Sequence, residues 1–96
     1  MLEIKPLCEN CGSKLATDSV DAMICSFECT FCITCVESIL HNVCPNCGGG
    51  FEKRPVRPIL LLTKYPASQH DYINPIDKDK FKEKYDRYNN IRPHLR

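Results

Sequence analysis

The chain has 96 residues, eight of them cysteine and none tryptophan, and a formal charge of +1. Its apolar fraction of 43% includes those cysteines and aromatics are 8%, so a core stabilised by burial alone would be marginal and must be stapled by other means. This size allows one small domain with an appendage, and the longest aliphatic run, Ile59-Leu60-Leu61-Leu62, is far short of a membrane span.

In chain order, Cys8-Glu9-Asn10-Cys11-Gly12 comes first and returns as Cys44-Pro45-Asn46-Cys47-Gly48. This internal Cys-x-Asn-Cys-Gly repeat has the pattern of a zinc knuckle. A tight turn aims backbone N–H groups at the thiolates, and glycine after the second cysteine takes positive φ without penalty. Residues 22–27 are expected to form a short strand, turned back by residues 28–31 into a hairpin. Ile33, Val36, Ile39 and Leu40 recur at helical spacing, which predicts one short helix over 33–41. Cys32 and Cys35 fall at its start, His41 serves as a C-terminal cap and Asn42 as the stop. Beyond Gly48-Gly49-Gly50 the composition changes. Residues 1–50 form the expected head, with every cysteine and all four glycines, and residues 51–96 the expected arm, with five of the seven prolines. Residues 58–63 read as extended or a strand, and 64–68 as a turn. Asn74-Pro75 reads as a helix start, followed by a helix over 77–90 with Phe81, Tyr85 and Tyr88 on one face, stopped by Pro93. That stripe is expected to pack against the head or another chain.

Charge follows the same division. Two basic and six acidic side chains give residues 1–50 a charge of −4, and 11 basic against six acidic give residues 51–96 a charge of +5. Eight thiolates holding two Zn²⁺ would take the whole chain from +1 to −3. An acidic head argues against that half gripping a phosphate backbone.

Eight cysteines mean either disulfides in a secreted chain or metal ligands in a reducing compartment. Met1 to Pro6 has no apolar h-region and no small-residue cleavage site, so the expected setting is cytoplasmic and the expected role is metal ligation. Three Cys-x-x-Cys pairs (Cys8/Cys11, Cys32/Cys35, Cys44/Cys47) plus Cys25-x-x-x-Cys29 suit two tetrahedral four-thiolate sites, which leave no open position for catalysis. Zinc is expected, although spacing does not separate it from iron. Adjacent pairing would join Cys8, Cys11, Cys25 and Cys29, then Cys32, Cys35, Cys44 and Cys47. Interleaved pairing joins Cys8, Cys11, Cys32 and Cys35 in site 1, and Cys25, Cys29, Cys44 and Cys47 in site 2. The interleaved form is favoured, because a knuckle plus a Cys-x-x-Cys in a first helical turn makes one zinc unit and the short Cys29–Cys32 gap suits a chain crossing between sites. His41, His70 and His94 are not needed as ligands. The expected fold is therefore a small metal-stabilised α+β zinc finger of treble-clef type, with one hairpin and one helix followed by an extended segment and a second helix.

The interleaved spacing, closing on Cys44-Pro45-Asn46-Cys47, resembles the RING finger in an all-cysteine form. Separately, Ile24–Cys32, Cys44–Gly49, the Arg-Pro-x-Arg-Pro run at 54–58 and Lys64–Ser68 resemble a bacterial family of small cysteine-rich proteins, domain-of-unknown-function family 1272. That likeness covers roughly residues 1–70, with 71–96 as an extension, and implies a bacterial, cytoplasmic setting but no activity. RING fingers commonly act as ubiquitin ligases, with an apolar residue inside the first cysteine pair, often a cation after the last ligand, and an aromatic between the sixth and seventh ligands. Here Glu9 and Asn10, Gly48, and an aromatic-free Val36–Val43 occupy those positions, so a ligase is not expected.

The leading expectation is a non-enzymatic zinc-stabilised interaction module without a small-molecule substrate or membrane role. It would bind a partner protein or its own copy through Phe27, Phe31 and the Phe81/Tyr85/Tyr88 stripe. Two alternatives are nucleic-acid binding through Arg54, Arg57, Lys64, Lys78, Lys80, Lys82, Lys84, Arg87, Arg92 and Arg96, and a thiol redox or zinc-release switch.

Overall fold

In the computed structural model, which describes residues 1–96, Ala22–Ile24 (β1) and Thr30–Cys32 (β2) pair antiparallel. Ala22 faces Cys32, Met23 faces Phe31 and Ile24 faces Thr30. The hairpin is shorter than its sequence suggests. Cys25 leaves the strand, Glu28 takes a left-handed φ of 64°, and Thr30 and Phe31 belong to β2 instead of the turn. The loop closes through Cys25 N–H to the Cys29 carbonyl at 3.2 Å and Glu28 N–H to the Cys25 carbonyl at 3.0 Å. A strand continued to residue 27 would alternate its side chains and lose this closed loop.

A third strand, Glu52–Lys53 (β3), pairs with the other edge of β1, giving the order β2-β1-β3. Its two side chains are both exposed, so hydropathy carries no sign of it. It is fixed instead by its neighbours. Phe51 is buried edge-to-face on Phe31 at 5.5 Å, and Arg54 N–H donates to the Ala22 carbonyl at 2.9 Å. The sheet thus runs across the expected boundary at residue 50.

The predicted helix is present as Ile33–Cys35 (α1), which continues through Val36–Leu40 in wider, π-type turns. Its end is forced by two successive left-handed residues, His41 (φ 47°) and Asn42 (φ 63°), with His41 N–H on the Val36 carbonyl. Val36 and Leu40 point into the core. That core is a cluster of 12 residues, and six of them are cysteines: Cys8, Cys25, Cys29, Cys32, Cys35 and Cys44. The remainder is Leu15, Ala22, Phe31, Val36, Leu40 and Phe51. Phe31, expected as a contact surface, is only 1% exposed and belongs to this core, whereas Phe27 is 74% exposed.

The arm lies on the head. Residues 58–63 do not extend as a strand. Ile59–Leu61 is a single 3-10 turn, with Leu61 N–H on the Pro58 carbonyl at 2.9 Å. Pro55 and Pro58 have no N–H to offer a ladder. The second helix is Lys78–Tyr88 (α2), and its N-cap is Asp77, not Asn74. The Asp77 carboxylate accepts from the N–H groups of Asp79 (3.1 Å) and Lys80 (3.3 Å), while Asn74 N–H donates to the Glu9 carbonyl at 2.6 Å. The aromatic stripe faces the head. Phe81 packs on the core, Tyr85 sits 5.7 Å from the His41 ring, and the Tyr88 ring lies so close over Gly48 that a Cβ there would come within 2.7 Å of it. Pro93 opens a last 3-10 turn, Pro93–Leu95.

Two arginines of the Arg-Pro-x-Arg-Pro run stitch arm to head. Arg54 is buried and has no carboxylate partner. It donates to the carbonyls of Lys5 (2.8 Å), Ala16 (2.8 Å) and Leu15 (3.4 Å). Arg57 donates to the carbonyls of Leu2 (2.6 Å) and Tyr65 (2.7 Å). Replacing Arg54 orphans buried carbonyls, which costs about 2–3 kcal/mol. Arg54→Met is therefore expected to lower the stability of the protein by about that amount in urea unfolding, and an unchanged midpoint would contradict this role.

Candidate metal centre

The two Cys-x-Asn-Cys-Gly segments fold alike, because the same short-range bonds close both. Gly12 N–H reaches the Cys8 carbonyl at 3.0 Å, and Gly48 N–H the Cys44 carbonyl at 2.8 Å. Cys8 N–H reaches the Ser13 carbonyl at 2.9 Å, and Cys44 N–H the Gly49 carbonyl at 2.8 Å. Gly12 and Gly48 hold φ of 74° and 80°, the left-handed conformation that the turn requires and glycine adopts freely.

The sulfurs gather in two clusters. Those of Cys8, Cys11, Cys32 and Cys35 all lie within 4.8 Å of one another. Here the first knuckle faces the β2–α1 junction, with Cys32 as the last residue of β2 and Cys35 in the first turn of α1. The sulfurs of Cys25, Cys44 and Cys47 form the second group under the same limit. Cys29 completes its neighbourhood without meeting that limit to all three. Its sulfur hydrogen-bonds with Cys44 and accepts from the Asn46 side-chain amide at 3.3 Å. The grouping is interleaved, so the adjacent alternative does not describe this chain.

The distances suit a metal. Cys8 and Cys35 sulfurs are 3.9 Å apart, and those of Cys11 and Cys32 are 3.7 Å apart. A tetrahedron with metal–sulfur bonds of about 2.3 Å has edges of about 3.8 Å. All eight thiols are free, so disulfides do not staple this fold.

Protonation follows from crowding. Burial pushes the Cys8 thiol up, takes Cys25 to about 11 and Cys35 to about 12. Cys44 is also raised, chiefly by the hydrogen bond it gives to Cys29. One sulfur in each cluster goes the other way. The Ser13 hydroxyl lowers Cys11 to about 6, and the Cys44 thiol lowers Cys29 to about 6. In each cluster one sulfur is thus held toward the thiolate, while Cys8 and Cys35 in the first and Cys25 and Cys44 in the second are held toward the neutral thiol. A divalent cation among them reverses that balance and ionises them all.

A surrounding layer holds the sulfurs in place, and sequence reasoning missed most of it. The Asn10 amide donates to the Cys35 sulfur at 3.4 Å, as Asn46 does to Cys29. Each asparagine thus reaches from its own knuckle to a sulfur of the partner pair in the same cluster. Backbone N–H groups of Phe27 and Gly49 reach the Cys25 and Cys47 sulfurs, both at 3.4 Å. Glu9, inside the first knuckle, is buried. It accepts from Thr30 N–H and from Lys5 at 3.2 Å, tying the knuckle to β2. The repeat itself carried the signal for both asparagines, since each precedes the second cysteine of its pair.

These features define a small α+β protein with a three-stranded sheet and two cysteine clusters able to hold metal ions. Residues 1–57 match the family described as a protein of unknown function, DUF1272, and the chain belongs to that family. An uncharacterised protein of Rhizobium meliloti is 55% identical over 75 residues, spanning 78% of this chain and 89% of that relative. No solved structure matches the chain.

If the asparagines orient the sulfurs, Asn10→Ala and Asn46→Ala should each speed metal loss to a competing chelator by about 10–100-fold. Equal rates for variants and wild type would leave the amides without that role.

Proposed function

We propose that this chain holds two structural Zn²⁺ ions, one on Cys8, Cys11, Cys32 and Cys35 and one on Cys25, Cys29, Cys44 and Cys47. The carrying observation is the first cluster, whose four sulfurs converge with edges matching a tetrahedral thiolate site. The geometry suits a RING-like, treble-clef arrangement of two crossed sites. Asn46 supports including Cys29, because its amide is spent on that sulfur as Asn10's is on Cys35. Four thiolates close the coordination shell, so the ions stabilise without catalysing. The protein then acts as a non-enzymatic, cytoplasmic interaction module for a partner protein or a second copy. Unpaired apolar surface at Phe27 and at Val56–Leu61 supports this role. No helix is long and apolar enough to cross a membrane, and no membrane role is proposed.

The nucleic-acid alternative loses half its cations. Arg54, Arg57, Lys84 and Arg96 are engaged with backbone carbonyls, and Lys82 pairs with Asp86 at 2.8 Å. The thiol-switch alternative draws on Cys11, which is exposed and favours thiolate. A ligase role has no support at Glu9, whose buried carboxylate faces Thr30 instead of a docking partner.

Zinc titration of the chelator-stripped chain tests this. Two equivalents should bind, with ordered structure lost on stripping and regained on loading. Because Cys8, Cys25, Cys35 and Cys44 are raised and must shed protons on binding, affinity should fall as pH falls, by more than about tenfold per unit below neutrality. A metal-free chain that stays natively ordered, or a pH-independent affinity, would contradict the proposal.

A further inference from the structure

Between α2 and the head lies a cleft of about 480 Å³. Small-molecule sites have volumes of roughly 300–1,000 Å³, so it is large enough for one. One wall is a single face of α2, where Lys78, Phe81, Lys82 and Tyr85 recur at helical spacing. The other wall is the end of the first helix, with Ser38, Ile39 and His41. Ile76 and Asn10 complete the lining. Phe81 and Ile76 pack against the core, which fixes the apolar part of the surface. Val36 and Leu40 of the first helix are buried, but Ile39 is 41% exposed and lines this cleft instead. The aromatic stripe that docks α2 therefore also borders an open space.

The charge of the lining has one sign. Lys78 and Lys82 are there, and no aspartate or glutamate is. The chain's two ion pairs are Lys5–Glu9 and Lys82–Asp86, so Lys78 has no carboxylate partner. The Lys82–Asp86 pair is largely exposed, and such a pair is worth only about 0–1 kcal/mol, so an incoming anion competes for Lys82 at little cost. Two other polar groups are already engaged. The Asn10 side chain donates to the Cys35 sulfur and accepts from Ile76 N–H, and the Ser38 hydroxyl donates to the Thr34 carbonyl. That leaves Lys78, the His41 ring and the Tyr85 hydroxyl, all of which donate hydrogen bonds. Donors around apolar side chains select an anion with an apolar body and disfavour an amine.

We propose that this cleft binds a small organic acid, a carboxylate carried on an aromatic or branched aliphatic body. The carboxylate pairs with Lys78, with Lys82 one helical turn away, and the body lies against Ile39, Ile76, Phe81 and Tyr85. Lys78 and Tyr85 are about 10 Å apart along the helix axis, which gives room for both ends of such a molecule. The ligand is bound and not converted, because the lining holds no nucleophile paired with a base. The inference goes beyond the interaction-module reading and needs no protein partner. No cysteine lines the cleft, so it does not depend on which metal the clusters hold.

The test titrates the full-length, zinc-loaded chain with 3-phenylpropionate and follows backbone amide shifts by NMR. Saturable shifts centred on Ile39, Phe81 and Tyr85 are expected, with Kd below about 1 mM. Two control ligands separate the parts of the argument. 3-Phenylpropylamine reverses the charge and propionate lacks the ring, and each is expected to bind at least about tenfold more weakly. Lys78→Gln and Ile39→Asp alter exposed positions, and each is expected to weaken 3-phenylpropionate at least about fivefold. Circular dichroism and zinc content, measured on the same samples, report folding separately. No saturation by about 10 mM, equal binding of the amine, or unchanged affinity in either variant overturns the proposal. So does tighter binding of a peptide ending in phenylalanine, which would give the cleft to a protein C-terminus.

Discussion

Eight thiols are brought into two groups, six of them buried, and everything else in the chain is arranged around that. Sulfur occupies half of the positions in the core cluster, where a protein of this size would otherwise place leucine, isoleucine and phenylalanine. Neutral thiols at these distances gain little from one another, and ionised ones repel. A cation among them would make the grouping favourable, and would join segments far apart in sequence. Cys8 and Cys35 belong to one cluster, and Cys25 and Cys47 to the other, so each site crosses the chain of its neighbour. With ions bound, crossed sites would turn two local clamps into one unit, because neither knuckle could detach without freeing strands that serve both.

The arm does more than trail from this head. It adds the third strand, buries Arg54 against three carbonyls and lays α2 across the second knuckle. Arg96 donates to the carbonyls of Asn42 (2.8 Å) and Gly48 (2.9 Å), and Lys84 to that of Asn46 (2.7 Å). Ile76 N–H donates to the Asn10 side-chain oxygen at 3.0 Å, so the amide that touches Cys35 is also held by the arm. Positive charge on the arm thus meets the acidic head chiefly through backbone carbonyls. Lys5 and Glu9 show the one ion pair that lies largely out of solvent.

Much of this was legible from cysteine spacing and glycine placement, because both are local signals. The knuckles, the helix after Cys32 and its stop near Asn42 follow from short-range geometry. So does α2, whose aromatic stripe has a clear period. What was not legible depends on contacts between remote segments. β3 has no alternating pattern, and exists only because Phe51 and Arg54 are anchored on either side of it. Ile59–Leu62 looks like a strand by composition, yet the prolines before it leave no edge to join. Phe31 and Phe27 are equivalent as letters, and their opposite fates depend on a hairpin whose turn begins three residues earlier than hydropathy implies. Arg54 reads as a surface cation until the three carbonyls around it are seen.

The central claim is sulfur-only coordination at both clusters. X-ray absorption at the zinc edge of the fully loaded chain tests it directly. The account predicts an average first shell of four sulfurs at about 2.3 Å. A shell containing nitrogen or oxygen ligands at about 2.0 Å, or fewer than four sulfurs per ion, would contradict it.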